Sequence, residues 1–187
     1  MRAATANEDD TGARYEGATG RARGGSLESL VAGVKEHMGD DWPPRIYTER
    51  VLSIRTRSHD VPPAAKNASV EILHTLLGVE LKVGRRRISC PDLATARYLS
   101  VFARAGVASV AVPYDITKIS HLADELESAW QRMLLLTDLA TPDRAAPFRT
   151  RVRAAVARAA GSEIGQAGAG SAIPQFNQNT RQRPQSI

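Results

Sequence analysis

The chain has 187 residues, 42% of them hydrophobic, with the apolar shortfall at its two ends, so it holds one ordinary domain with room to spare. Its single cysteine, Cys90, excludes an internal disulfide and fits a reducing compartment, and its apolar runs are far too short to span a bilayer. With no secretory run in the first 25 residues, the expectation is a soluble, cytoplasmic protein without membrane contact. The net charge is +5, and only 4 of the 25 basic residues are lysines. Arginine forks phosphate bidentately and stacks on bases, so this balance suits DNA or RNA as a partner. A GC-rich coding sequence would enrich arginine and alanine in the same way.

Residues 1–25 are polar, glycine-punctuated and aperiodic, and read as a disordered arm. Ser26 can cap a helix whose stripe is Leu27, Leu30, Val31, Val34 and Met38, ended by Gly39 and the Trp-Pro-Pro that follows. Arg45 to Arg57 is rich in β-branched and aromatic residues and reads as a strand. Pro62 and Pro63 mark a loop. Val70 to Leu77 suits a short helix closed by Gly78, while Val70, Ile72 and Thr75 would also suit a strand. Val79, Leu81 and Val83 alternate with Glu80 and Lys82, Gly84-Arg85 turns the chain, and Arg86 to Cys90 returns as a hairpin. In that register Leu81 faces Ile88 and Val79 faces Cys90. Lys82 then lies opposite Arg87, a repulsive pair unless an anion or Glu80 intervenes.

Pro91 suits the first position of a helix with stripe Leu93, Ala96, Leu99, Phe102 and Ala103, ended by Gly106. Val107 to Val112 is a short apolar strand, and strand–helix–strand order implies parallel neighbours. Asp115 caps a long helix, 115–138, whose stripe is Ile116, Ile119, Leu122, Leu126, Trp130, Met133 and Leu134. Pro147 permits a last, basic helix over 148–160, and the polar segment 161–187 reads as a disordered tail. The predicted architecture is thus α/β: a small mixed sheet of about four strands flanked by helices, spanning 26–160 between two arms.

The sharpest chemical constellation is Glu80-Leu81-Lys82. A carboxylate and a lysine two apart on a strand share one face, where the first can hold a divalent metal and the second can stabilise an attacking water or phosphorane charge. The order helix, strand, E-x-K strand, helix, strand resembles the core of the PD-(D/E)XK nuclease superfamily, especially its small resolvase-like members, over about Ser26 to Pro113. The resemblance implies a Mg²⁺-dependent phosphodiesterase with Glu80 and Lys82 catalytic. No Pro-Asp stands upstream where that family carries its second acid. Asp60 and Glu71 are substitutes by proximity, Asp60 being taken as the metal ligand beside Glu80, and Glu28 could stand in for an acid on the first helix. Arg85, Arg86 and Arg87 form a cluster at the hairpin tip suited to phosphate contact. The simpler reading is an exposed hairpin face that alternates charges for solubility and cross-strand pairing.

Arg144, Arg149, Arg151, Arg153 and Arg158 make the last helix basic, with Phe148, Val152 and Val156 on one face. His74 has no companion at metal-ligand spacing, and neither a phosphate-binding glycine loop nor a serine elbow occurs. Two functional classes follow. One is a nucleic-acid-binding domain with a nuclease-like core. The other is a non-catalytic interaction or assembly module, a homodimer through helix 115–138 included, which predicts an exposed apolar patch along Leu126, Trp130, Met133 and Leu134.

Overall fold

A computed structural model describes residues 26–64 and 69–170. The arm predicted over 1–25, and the tail beyond 170, lie outside the described residues. The first helix, α1 (Leu27–Met38), is capped as its sequence suggests: the Ser26 hydroxyl accepts the Ser29 amide at 3.2 Å, and Val34 and Met38 are buried.

The strand expected over 45–57 is largely helical. Pro43 and Pro44 open α2 (Pro43–Ile46), where their fixed φ and missing N–H suit a first turn, and a wider π-type turn continues over Tyr47–Val51. Ile46, Tyr47 and Val51 are all buried on this short helical run. Tertiary burial therefore overrides the β-branched composition, and only the end of the segment is extended, as β1 (Thr56–Asp60).

The segment around 70–77 resolves as a strand. β2 (Val70–Thr75) pairs antiparallel with β3 (Gly78–Val83) across a turn at Leu76-Leu77. Gly78 has φ +126°, so the glycine that resembled a helix cap is a turn residue. The Thr75 hydroxyl closes this turn, donating to the Gly78 carbonyl at 3.1 Å and accepting the Leu77 amide at 3.3 Å. The second hairpin has the register read from the alternation: β4 (Arg86–Cys90) returns with Ile88 opposite Leu81, Cys90 opposite Val79 and Arg87 opposite Lys82.

Helices and strands are mixed as expected, but the sheet is divided. β2, β3 and β4 make a three-stranded antiparallel sheet. The strand that follows the next helix, β5 (Ser109–Pro113), pairs antiparallel with β1 in a separate two-stranded ribbon. The parallel crossover implied by strand–helix–strand order does not form, because β5 is drawn to β1 and not to β4.

Between β4 and β5 lies α3 (Leu93–Ala105), the centre of the core, with Ala96, Leu99, Val101, Phe102 and Ala103 at 0% exposure. Asp92 caps it, accepting the Thr95 amide at 2.7 Å and the Thr95 hydroxyl at 3.0 Å, so Pro91 precedes the cap instead of opening the helix. Gly106, at φ +77°, ends it.

On α4 (Ile116–Leu139) the predicted stripe holds from Ile119 onward, Ile116 being exposed, but it is spent inside the chain: Leu126, Trp130 and Met133 are all buried. The patch expected for a dimer along these residues is therefore core. The exposed leucines of α4 are Leu135 and Leu139, on another side. The last helix, α5 (Ala146–Ala167), starts earlier and runs past its expected end at Ala160, because Ile164 is buried as well as Val152, Val156 and Ala160. The domain accordingly extends beyond 160. Gly161 lets α5 cross the end of α3 at backbone contact; a Cβ there would stand 2.0 Å from the Ala105 carbonyl oxygen.

Candidate functional site

Glu80 and Lys82 do project from one face of β3, as strand geometry requires, with Leu81 and Val83 buried on the other. Each is held by an opposite charge. Lys82 Nζ donates to Glu71 at 3.1 Å on β2, and Arg87 of β4 reaches Glu80 at 3.4 Å. The repulsion foreseen between Lys82 and Arg87 is thus relieved by a carboxylate for each. A hydrogen bond from the Ser69 side chain, then Lys82, holds the Glu71 carboxyl below its usual range. The outer face of this sheet is a charge-balanced layer, ordered Glu71, Lys82, Arg87, Glu80 through its contacts.

In that arrangement a divalent metal would compete with cations already in place. Glu80 and Glu71 are each already neutralised by a cation, and Asp60 stands in the other sheet, at the end of β1. Among the described residues no group of three His, Cys, Asp or Glu side chains gathers at metal-binding distance. Glu28 lies on α1, beside a mostly apolar groove shared with α5. Cys90 is buried, and burial pushes its thiol pKa up, which disfavours the thiolate form.

Asp60 instead belongs to an open groove of about 660 Å³ where the ribbon meets the hairpin tip. Pro62, Pro63 and Ser109 form one wall, and Arg86 and Arg87 the other. Of the tip arginines, Arg87 is paired to Glu80, whereas Arg85 and Arg86 have no carboxylate partner among the described residues.

A second basic cluster, which the sequence did not disclose, lies at the opposite end of the same ribbon. The Tyr114 amide donates to the Arg55 carbonyl at 3.4 Å, extending the β1–β5 ladder by one rung. Arg55, Arg57 and Tyr114 then share a face, with the two guanidinium carbons 5.1 and 5.9 Å from the centre of the Tyr114 ring. Neither arginine has a carboxylate partner among the described residues. In sequence these residues are more than fifty positions apart, and only the pairing of β1 with β5 unites them. This cluster stands at the Thr56 end of the ribbon, and the groove lined by Arg86 and Arg87 adjoins its Asp60 end.

On α5 and its approach the basic residues divide. Arg153 is tied to Asp138, which lowers that carboxyl's pKa, while Arg144 lies 5.5 Å from the Phe148 ring centre and Arg151 and Arg158 are exposed.

No protein-family model, curated protein or solved structure matches the chain.

Proposed function

We propose that the protein binds nucleic acid along the β1–β5 ribbon and the adjoining hairpin tip, and that it does so without cleaving it. The observation that carries this reading is the distribution of uncompensated arginines. Arg55 and Arg57 at one end of the ribbon, and Arg85 and Arg86 beyond the other, lack acidic partners among the described residues, while Lys82 of β3 and Arg87 of β4 are paired. A desolvated or ion-paired cation has little left for phosphate; a free, exposed guanidinium releases counterions when phosphate arrives. The pairing of Glu80 with Arg87 and of Lys82 with Glu71 supports binding over metal-dependent hydrolysis.

Anisotropy of labelled mixed-sequence DNA and RNA, titrated at several salt concentrations, tests the reading. Affinity is expected to fall steeply with salt, and Arg85→Ala/Arg86→Ala and Arg55→Ala/Arg57→Ala are each expected to weaken it and flatten the salt slope. Binding unchanged in both double variants would refute the interface. Mg²⁺-dependent cleavage that disappears in Glu80→Ala would overturn the non-catalytic part and restore the nuclease reading.

A protein-interaction role has one specific observation in its favour. Leu76 and Leu77, at the β2–β3 turn, are 106% and 95% exposed, on the end of the sheet away from the arginine tip. Burying two such leucines in a partner would contribute about 3–6 kcal/mol. Crosslinking from the turn, lost in Leu76→Ser/Leu77→Ser with nucleic-acid affinity intact, would assign this surface to a protein.

A further inference from the structure

We infer that Tyr114, with Arg55 and Arg57, forms a base-stacking subsite, so that the preferred ligand is single-stranded nucleic acid. This deepens the reading above and rests on it.

The tyrosines inside the described residues differ sharply in employment. Tyr47 and Tyr98 are 0% exposed, and both hydroxyls are consumed by backbone hydrogen bonds. Tyr114 is 46% exposed, and its hydroxyl has no hydrogen-bond partner among the described residues. A half-exposed aromatic ring at a strand end, with two guanidiniums lying over it that have no carboxylate partner, has the composition of a stacking platform: a base that displaces a guanidinium takes its place on the π surface, and the displaced cation is left for the phosphate. Asp115, the nearest carboxylate in sequence, is committed to the cap of α4, where it accepts the Thr117 amide at 2.9 Å.

The geometry selects the strandedness. Arg55 and Arg57 are two apart on one extended segment, so their stems leave the backbone about 6.6 Å apart on the same face. They can therefore contact successive positions of one backbone while the ring, on the neighbouring strand opposite Arg55, meets a base. In a duplex the base faces are occupied by their neighbours, and a ring on a flat strand end cannot reach them without unstacking. A single strand offers them freely.

The test compares single-stranded oligonucleotides, a duplex of the same length, and inorganic polyphosphate, which has the charge and no bases. Tyr114→Ala is expected to weaken single-strand binding at least about fivefold while leaving duplex and polyphosphate binding unchanged, and Tyr114→Phe is expected to retain wild-type affinity. Tyr114→Trp adds a direct readout. Trp42 and Trp130 are 2% and 5% exposed, so quenching on addition of an oligonucleotide reports the new indole. Quenching by single strand and not by polyphosphate supports stacking. Equal affinity of Tyr114→Ala and wild type for single strands, or an unquenched indole, would overturn the subsite while leaving the broader proposal standing. Failure of the wild type to bind any of the nucleic acids would remove both.

Discussion

The hydroxyls of Tyr47 and Tyr98 meet at one peptide position: Tyr47 accepts the Ala111 amide at 2.9 Å, and Tyr98 donates to the Ala111 carbonyl at 2.6 Å. They occupy the edge of β5 that a further strand would otherwise take. Tyr47 passes its own proton to the Gly168 carbonyl at 2.6 Å, which ties the end of α5 to the same point. With Phe102 between them, at ring-centre distances of 5.4 and 4.9 Å, the two tyrosines join the ribbon to the helical core.

Tyr98→Phe removes the one hydroxyl serving the Ala111 carbonyl in a fully buried site, and the expected loss is about 1–3 kcal/mol. Urea denaturation of the variant checks this, and an unchanged midpoint would mean the carbonyl finds another donor.

Alkaline pH should expose the same residues. Burial first, and then the neighbouring Tyr47, hold the Tyr98 phenol well above its ordinary value of 10.0, and burial raises Tyr47 too. The native state therefore keeps protons that the unfolded state releases. The stabilisation is complete below about pH 10 and declines as pH rises beyond it, by up to about 1.4 kcal/mol per pH unit per tyrosine. Denaturation followed between about pH 9 and 11 should show this fall, and Tyr98→Phe should reduce its slope.

Gly161→Ala should be destabilising although alanine is the better helix former by about 1 kcal/mol. The added methyl would meet the Ala105 carbonyl oxygen, which is backbone of α3 and cannot swing aside. A net loss of about 1–3 kcal/mol in thermal or urea unfolding is expected, and a gain would show that α5 can lift from α3 freely.

Millimolar Mg²⁺ should leave the thermal midpoint where it was. A metal that bound Glu80 would have to displace Arg87, and one at Glu71 would have to displace Lys82. An upward shift that vanishes in Glu80→Gln would reveal a carboxylate site that these pairs conceal.

Local signals carried much of the fold. The hairpin at 79–90 is legible because period-two alternation and a glycine turn agree, α3 because its stripe ends at Gly106, and α4 because its stripe follows the Asp115 cap. Pro43 and Pro44 were read as a stop when they are a start, which turned a helical segment into an expected strand. Gly78 was ambiguous for a related reason: helix caps and hairpin turns both require positive φ. The division into two sheets depends on the pairing of Thr56 with Pro113 and its neighbours, which no local pattern announces. The candidate site divides along the same line. Arg85 to Arg87 are visible as a run, whereas the meeting of Arg55 and Arg57 with Tyr114 is a product of long-range pairing.

The charged face of the three-stranded sheet also governs alignment. Sliding β2 by two residues along β3, in the direction that brings Glu71 to Glu80, would leave each side chain on the face it already occupies, so hydrophobic pattern alone tolerates the slip. In the native register Glu71 faces Lys82; in the slipped one it would face Glu80, carboxylate against carboxylate. The four side chains that make this surface a poor metal site are thus the key that tells the hairpin which of two equally greasy alignments to adopt.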